Sequence, residues 1–315
     1  MVVGFLSVEV VEGPPHNNFG GGGGVTESGR NSAMRVAIAI LLDLLTYGLS
    51  WLATWLRRRG NKASSTSSAW PLPCATAHTV EKQRITVVLA CLNESQTVAA
   101  AVRSALANGD DVEVIVADGG STDATRAAAT AAGARVLFGE YPSRAACLNA
   151  GAAAASGELL IFLHADSTLP AGYGQHVRDA LRRPRVALAA FTLTLTPRLR
   201  GLWLVEMGAN LRARRRGLPW GDQGLCLRRE VFEALGGFRV QPLLEDVELV
   251  CAARAAGDVV ILTPEVRSSS RRWADGGVLT NSLLNQLVLL GREVGVPVSR
   301  MAKWYYQHPT GVKQY

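Results

Sequence analysis

Leu159-Leu160-Ile161-Phe162-Leu163-His164-Ala165-Asp166 is a short apolar run that stops abruptly at a histidine and a carboxylate. An unbroken apolar run of this length predicts a strand buried on both faces, as in a parallel sheet covered by helices. In open sheets of that kind, ligands sit just beyond the carboxyl ends of the strands. Asp166 therefore stands where a metal ion or a phosphate would be held, or else it only caps a strand end. The flanking sequence bears on that choice.

Upstream, residues 85–90, 112–117 and 135–138 read as strands, and 95–106, 122–132 and 143–155 as helices. This alternation predicts an α/β fold with a doubly wound, mostly parallel sheet flanked by helices. Residues 186–196 predict a further strand, and the alternation Phe191-Thr192-Leu193-Thr194-Leu195 implies one solvated face. Beyond it come a helix over 199–216, a loop over 217–224, short strands at 225–228 and 259–262, and a helix over 245–256. Residues 278–294 carry apolar residues at helical spacing and read as a core helix rather than one lying along a membrane.

The chain before residue 84 differs in texture. Residues 1–33, with the glycine run Gly20 to Gly24, are too polar to order themselves. Residues 34–59 predict a hydrophobic helix, apolar over 36–56 apart from Asp43 and a few small or hydroxylated residues. That stretch matches a bilayer core in length. Arg57, Arg58, Arg59 and Lys62 follow at once, which predicts a single-pass N-terminal membrane anchor with the rest facing the cytosol. The alternatives are a targeting segment, with a soluble or organellar protein. Residues 60–83 read as a linker, 84–306 as the folded domain and 307–315 as a tail.

With 33 basic and 26 acidic residues the formal net charge is +7, and clusters such as Arg212 to Arg216 suit an anionic partner. No basic stripe is interleaved with aromatics, so nucleic acid is excluded as the partner; lipid headgroups and a diphosphate ligand stay open. The cysteines, 5 in all, form no C-x-x-C pair and read as reduced, buried thiols.

Three predicted strands end in polar residues: Asn93-Glu94, Asp118-Gly119-Gly120-Ser121-Thr122-Asp123, and His164-Ala165-Asp166. A carboxylate before Gly-Gly permits a tight turn and close backbone approach to a ligand. Singly each is explained as a capped turn, but three converging on one sheet edge are not. Gly221-Asp222-Gln223-Gly224 sets a carboxylate and an amide between glycines, and Glu245-Asp246-Val247-Glu248 opens a helix with three acids. Acids there also complement the helix dipole. Arg271-Arg272-Trp273 offers two fork-shaped donors beside an aromatic, suited to a diphosphate.

In order and spacing these motifs resemble a family 2 glycosyltransferase of the GT-A fold, in the small bacterial-type branch with Leu-His-Ala-Asp, Gly-Asp-Gln-Gly and Glu-Asp-Val-Glu-Leu signatures. The resemblance implies a nucleotide-sugar donor, usually UDP-linked, a divalent cation (Mn²⁺ or Mg²⁺), and inversion at the anomeric carbon onto a hydroxyl acceptor. It places Asn93, Glu94, Asp118 and Gly119 against the nucleoside, and Asp166 with His164 at the metal motif. Glu245 and Asp246 fall at the catalytic motif, with Asp246 the base. Asp222, Arg272, Trp273 and, from a donor-side helix, Arg144 and Asn149 complete the donor site. A lipid-linked acceptor is compatible with the anchor. Two residues depart from the family pattern: Ala90 stands where a proline is usual, and His164 removes one charge from the metal motif. A nucleotidyltransferase would want a basic glycine-rich loop after the first strand, where this chain has Leu92-Asn93-Glu94-Ser95. A non-catalytic sugar-nucleotide-binding protein would not need Asp118, Asp166 and Asp246 together.

Overall fold

Four strands build one half of the sheet, β1 (Ile85–Cys91), β2 (Val112–Asp118), β3 (Arg135–Phe138) and β4 (Leu159–His164). They pair in parallel, in the spatial order β3-β2-β1-β4, with Cys91 beside Asp118 and Ala90 beside His164. The polar strand ends anticipated from sequence therefore lie along one edge. This computed structural model describes residues 83–107 and 111–307. The anticipated hydrophobic helix at 34–59 and the segment 1–33 lie outside the described residues, as do nearly all of the linker and the tail. Among the described residues, no helix is long and apolar enough to cross a membrane.

β4 is buried on both faces, as its composition demands. Leu159, Ile161 and Leu163 join one core with Val98, Ala101 and Val102 of α1 (Val98–Leu106). Leu160 and Phe162 join the other with Ala145, Leu148 and Ala152 of α3 (Arg144–Ala154), a helix that follows α2 (Thr125–Ala131). Phe162 packs on Phe232 and Phe238 with ring centroids 4.8 and 4.7 Å away. Full burial of each such side chain contributes roughly 1.5–3 kcal/mol. Alpha-3 approaches the sheet so closely that a Cβ on Gly151 would lie 2.4 Å from Val88 Cγ1. The Cys91, Cys147 and Cys226 thiols are buried and free, and burial pushes their pKa values up.

The second half departs from the regular pattern. After β5 (Ser167–Thr168) and α4 (Tyr173–Leu181) come β6 (Val186–Thr196), α5 (Leu202–Arg216) and β7 (Leu225–Arg228). Next are α6 (Arg229–Ala234), α7 (Glu245–Ala256), β8 (Asp258–Ser269), α8 (Arg271–Gly276), α9 (Val278–Glu293) and α10 (Val298–Gln307). The sheet runs β3-β2-β1-β4-β7-β6-β8-β5. It is not wholly parallel: β7 lies antiparallel to both β4 and β6, and β5 antiparallel to β8.

Three sequence expectations are corrected. The strand expected at 259–262 continues to Ser269, because Pro264 falls at a register break where Leu262 and Glu265 pair with successive residues of β6. A bulge is where a strand tolerates a residue with no donor. The solvated face expected on β6 is closed at Thr192, which is 7% exposed. Thr192 Oγ1 donates to Leu262 O (2.8 Å), while Asn210 and Glu206 of α5 satisfy the backbone of Leu193 and Leu195. Helices α4, α6, α8 and α10 and the two-residue β5 were not anticipated. Alpha-9 is a core helix, burying Leu284 and Val288 against Met301 and Tyr305 of α10.

Candidate active site

A cavity of about 340 Å³ opens at the carboxyl ends of β1 and β4, closed over by residues 241–247, α8 and the end of α10. Glu94, Arg144, His164, Asp166, Asp222, Glu245, Asp246, Arg272 and Trp273 all line it. Residues from near both ends of the domain thus share one enclosure. Asn93, Asp118, Gly119 and Asn149 are not among its lining residues.

The two residues that end the opening run play different parts. His164 Nε2 is hydrogen-bonded to the Arg144 guanidinium. A guanidinium only donates, so Nε2 is the acceptor and the ring proton sits on Nδ1. Burial, together with Arg144 and Arg272, holds His164 well below its ordinary pKa, which keeps it neutral. Its Nε2 lone pair is therefore engaged. Asp166 has the opposite character: burial and the charge of Glu94 raise its pKa, with Arg271 and Arg144 opposing. A cation placed there would relieve that strain. Among the described residues no group of three or more His, Cys, Asp or Glu side chains is arranged to hold a metal. The donor set fits Mg²⁺ or Mn²⁺ held by one carboxylate with a ligand's phosphates, the usual pattern for such hard ions.

Opposite stands the start of α7. Leu244 precedes it with φ +66°, a left-handed conformation that a bulky side chain resists and that tends to occur at functional sites. The turn sends three acids in three directions. Glu248 pairs with Arg292 (2.7 Å) and Glu245 with Arg144 Nη1 (3.2 Å). Asp246 Oδ2 accepts the Gly221 backbone N–H (2.7 Å), and Oδ1 accepts its neighbour's, Val247 N (2.8 Å). Burial raises Glu245, opposed by Arg144 and aided by Asp246. Gly221 is the keystone. A Cβ there would meet His164 Nε2 at 2.9 Å, Asp246 Oδ2 at 3.0 Å and Arg144 Nη2 at 3.1 Å.

Asp222, next along, has a buried Oδ1 with no partner, and desolvation pushes its pKa up to about 6 against the pull of Arg212. Arg272 donates to Asn285 Oδ1 (2.7 Å) and lies over the rings of Trp273 (5.0 Å) and Tyr305 (4.9 Å). Arg271 reaches both Glu94 oxygens (3.0 and 3.1 Å), closing the cavity from β1 to α8.

The residues outside the lining hold the others in place. Asn93, at φ +54°, accepts from Thr122 N (2.9 Å) while its own N–H donates to Ser121 Oγ (2.8 Å). Asp118 Oδ1 accepts from Gly120 N (3.1 Å) and Ser121 N (2.8 Å), and its buried Oδ2 has no partner. Gly119 N donates to Cys91 O (2.9 Å), extending the ladder. Asn149 clamps Phe238, accepting from its N–H (2.9 Å) and donating to its carbonyl (2.8 Å). Sequence reasoning missed Trp220, Tyr305 and Tyr306 as lining residues. For the two tyrosines the one available signal was the i, i+4 pair Met301 and Tyr305 that α10 buries.

Residues 86–231 match the family described as "Glycosyl transferase family 2". That match spans just under half of the chain. The match takes in Asn93 through Asp222 but ends before Glu245, Asp246 and Arg272, which the fold brings to the same cavity. The chain is 34% identical over 115 residues to the glucosyl-3-phosphoglycerate synthase of Mycolicibacterium smegmatis, covering 32% of this chain and 38% of that protein. The chain thus spans well under half the length of that relative. Among solved structures, it is similar to the mannosyltransferase PcManGT from Pyrobaculum calidifontis, solved with GDP-Man and Mn²⁺. That TM-score is 0.52 at 21% identity, over 84% of this chain and 76% of the other. It is also similar to S. aureus TarS 1-349 solved with UDP-GlcNAc, with a TM-score of 0.50 at 14% identity over 67% of this chain and 66% of the other. These likenesses show the fold: a mixed α/β, GT-A-like sheet flanked by helices.

Proposed function

We propose that this chain is an inverting glycosyltransferase that moves a sugar from a nucleotide-sugar donor, UDP-linked, to a hydroxyl acceptor. The observation that carries the proposal is the meeting of Asp166, Asp246 and Arg272 in one cavity, from three distant parts of the chain. Their residue types suit the reaction. Asp246, fixed by the Gly221 and Val247 N–H groups, keeps lone pairs free to accept the acceptor's hydroxyl proton. The acceptor oxygen then bonds to the anomeric carbon from the face opposite the departing diphosphate, which leaves with the electron pair of the broken bond. Arg271 and Arg272 stand where growing negative charge on that diphosphate needs donors. A divalent cation held by Asp166 and the diphosphate would neutralise that charge further, and the likeness to the mannosyltransferase solved with GDP-Man and Mn²⁺ supports it. Asn93, Glu94, Asp118 and Gly119 form the nucleoside end of the site in this reading. An N-terminal anchor at 34–59 and a lipid-linked acceptor belong to the proposal on sequence grounds alone.

The test combines binding with turnover. A panel of nucleotide sugars with Mn²⁺ is screened by thermal shift, and the stabilising donor is then used in radiolabelled transfer to cell-extract acceptors. Asp246→Asn is expected to lose about 10²–10⁴-fold in transfer while keeping the donor's thermal shift. Full activity in that variant overturns the base assignment, and a panel in which no nucleotide stabilises the protein overturns the whole reading.

A further inference from the structure

Alpha-5 carries a feature that catalysis does not use. Trp203, Met207 and Leu211 recur at every fourth residue and are 58%, 49% and 48% exposed. At roughly 100° per residue they form one ridge along the helix. The opposite side is committed to the core and the cavity: Leu202, Ala209 and Ala213 are buried, and Arg212 lies 3.8 Å over the ring of Trp220 at the cavity wall. Large apolar side chains exposed in register, rather than scattered, mark an interaction surface.

The charges around the ridge are of one sign. Arg200 is exposed in the turn before α5, and Arg214, Arg215 and Arg216 occupy its last turn. The helix's one acid, Glu206, is buried and paired with Arg198 at 2.7 Å. On the neighbouring strand Glu265 is held by the Thr194 hydroxyl (2.7 Å), close to where Arg214 reaches Thr192 (3.1 Å), and it offsets one of these charges only. A second copy of the chain fits poorly, because parallel or antiparallel pairing of two such helices sets arginine against arginine. A surface that is apolar at the level of the ridge and anionic just above it fits on both counts. Tryptophan favours the boundary of a bilayer, and arginine reaches phosphates from an apolar stem.

We propose that α5 is a membrane-docking face, with Trp203, Met207 and Leu211 entering the headgroup boundary of an anionic bilayer and Arg200, Arg214 and Arg215 binding lipid phosphates. This face belongs to the catalytic domain itself and is independent of the N-terminal segment. Through Arg212 and Trp220 it sets the catalytic cavity against the lipid surface, where an amphiphilic acceptor would be presented.

Met207 reports the docking directly in the full chain. Peroxide converts an exposed methionine to its sulfoxide, and trypsin releases residues 201–212, in which Met207 is the sole methionine. Oxidation of Met207 is expected to slow at least about fivefold with phosphatidylglycerol vesicles, as a thioether withdrawn from water reacts slowly, and to be unchanged with phosphatidylcholine vesicles. Buried Met301, 1% exposed, serves as the internal control. Arg214→Glu with Arg215→Glu should restore the lipid-free rate. Unprotected Met207 on anionic vesicles overturns the proposal, even if the chain itself co-sediments with them. Protection that needs no lipid also overturns it: a dependence on protein concentration would assign the ridge to a second copy, and independence of it to the chain's own N-terminal segment. Equal protection on both vesicle types removes the role given to the arginines.

Discussion

Replacing Asp222 by Asn is expected to stabilise the protein at neutral pH and to have only a small effect at pH 4. Burial raises the carboxyl from 3.8 to about 6, so the folded state holds its proton more tightly than the unfolded state does. Well below pH 4 both states are protonated and the group costs nothing. Between pH 4 and 6 the unfolded chain ionises while the folded one does not, so stability falls as pH rises. Above pH 6 the full cost is present, about two pKa units or roughly 3 kcal/mol. That figure is net of the attraction to Arg212, which already pulls the value down. Asparagine keeps the shape and carries no charge to bury. In a domain of this size about 3 kcal/mol corresponds to roughly 6–12 °C. Calorimetry of the wild type and Asp222→Asn at pH 4 and pH 7.5 measures it. A variant that melts lower at pH 7.5, or a difference that does not change with pH, would refute the reasoning. A carboxylate kept at such a cost is characteristic of a working site, so the stabilised variant is expected to lose sugar transfer.

Asp166→Ala should weaken UDP binding in Mn²⁺ while leaving metal-free binding little changed. Calorimetry with and without EDTA decides it, and wild-type binding indifferent to EDTA would remove the cation from Asp166. Gly221→Ala should cut transfer by at least about tenfold, since its Cβ would push apart His164, Arg144 and Asp246. Its melting temperature is expected to fall by only a few degrees, as the atoms it meets are side-chain ends; an active Gly221→Ala enzyme would show that the three groups need not be held together.

Where a local pattern sufficed, the sequence was readable. The strands 135–138, 186–196 and 225–228 and the helix 245–256 have the bounds expected of them, because apolar periodicity and capping act over a few residues. The reading failed where tertiary contacts decide. Thr192 looks solvated by alternation, but α5 closes over it and supplies a hydrogen-bond partner for its hydroxyl. Pro264 looks like a strand end, but the bulge opposite Phe191 and Thr192 gives it a place without a ladder donor. The antiparallel direction of β7 has no local signature at all, since an apolar tetrapeptide reads the same in either orientation.

The same division runs through the site. That Asp166 and Asp246 would meet at one cavity was legible, since each ends or opens an element at the ligand edge of such a sheet. What His164 does was not. From its place beside Asp166 it reads as a second metal ligand, and only the fold shows Arg144, twenty residues earlier, seated on its Nε2. Arg144 also pairs with Glu245, and Gly221 fills the gap between all of them, so one guanidinium joins the end of β4 to the start of α7. A neutral His164 engaged in this way holds the arginine through its Nε2. In the proposed reaction Asp166, just past β4, would hold the metal and Asp246, at the start of α7, would take the proton, with the Arg144 guanidinium between the two elements.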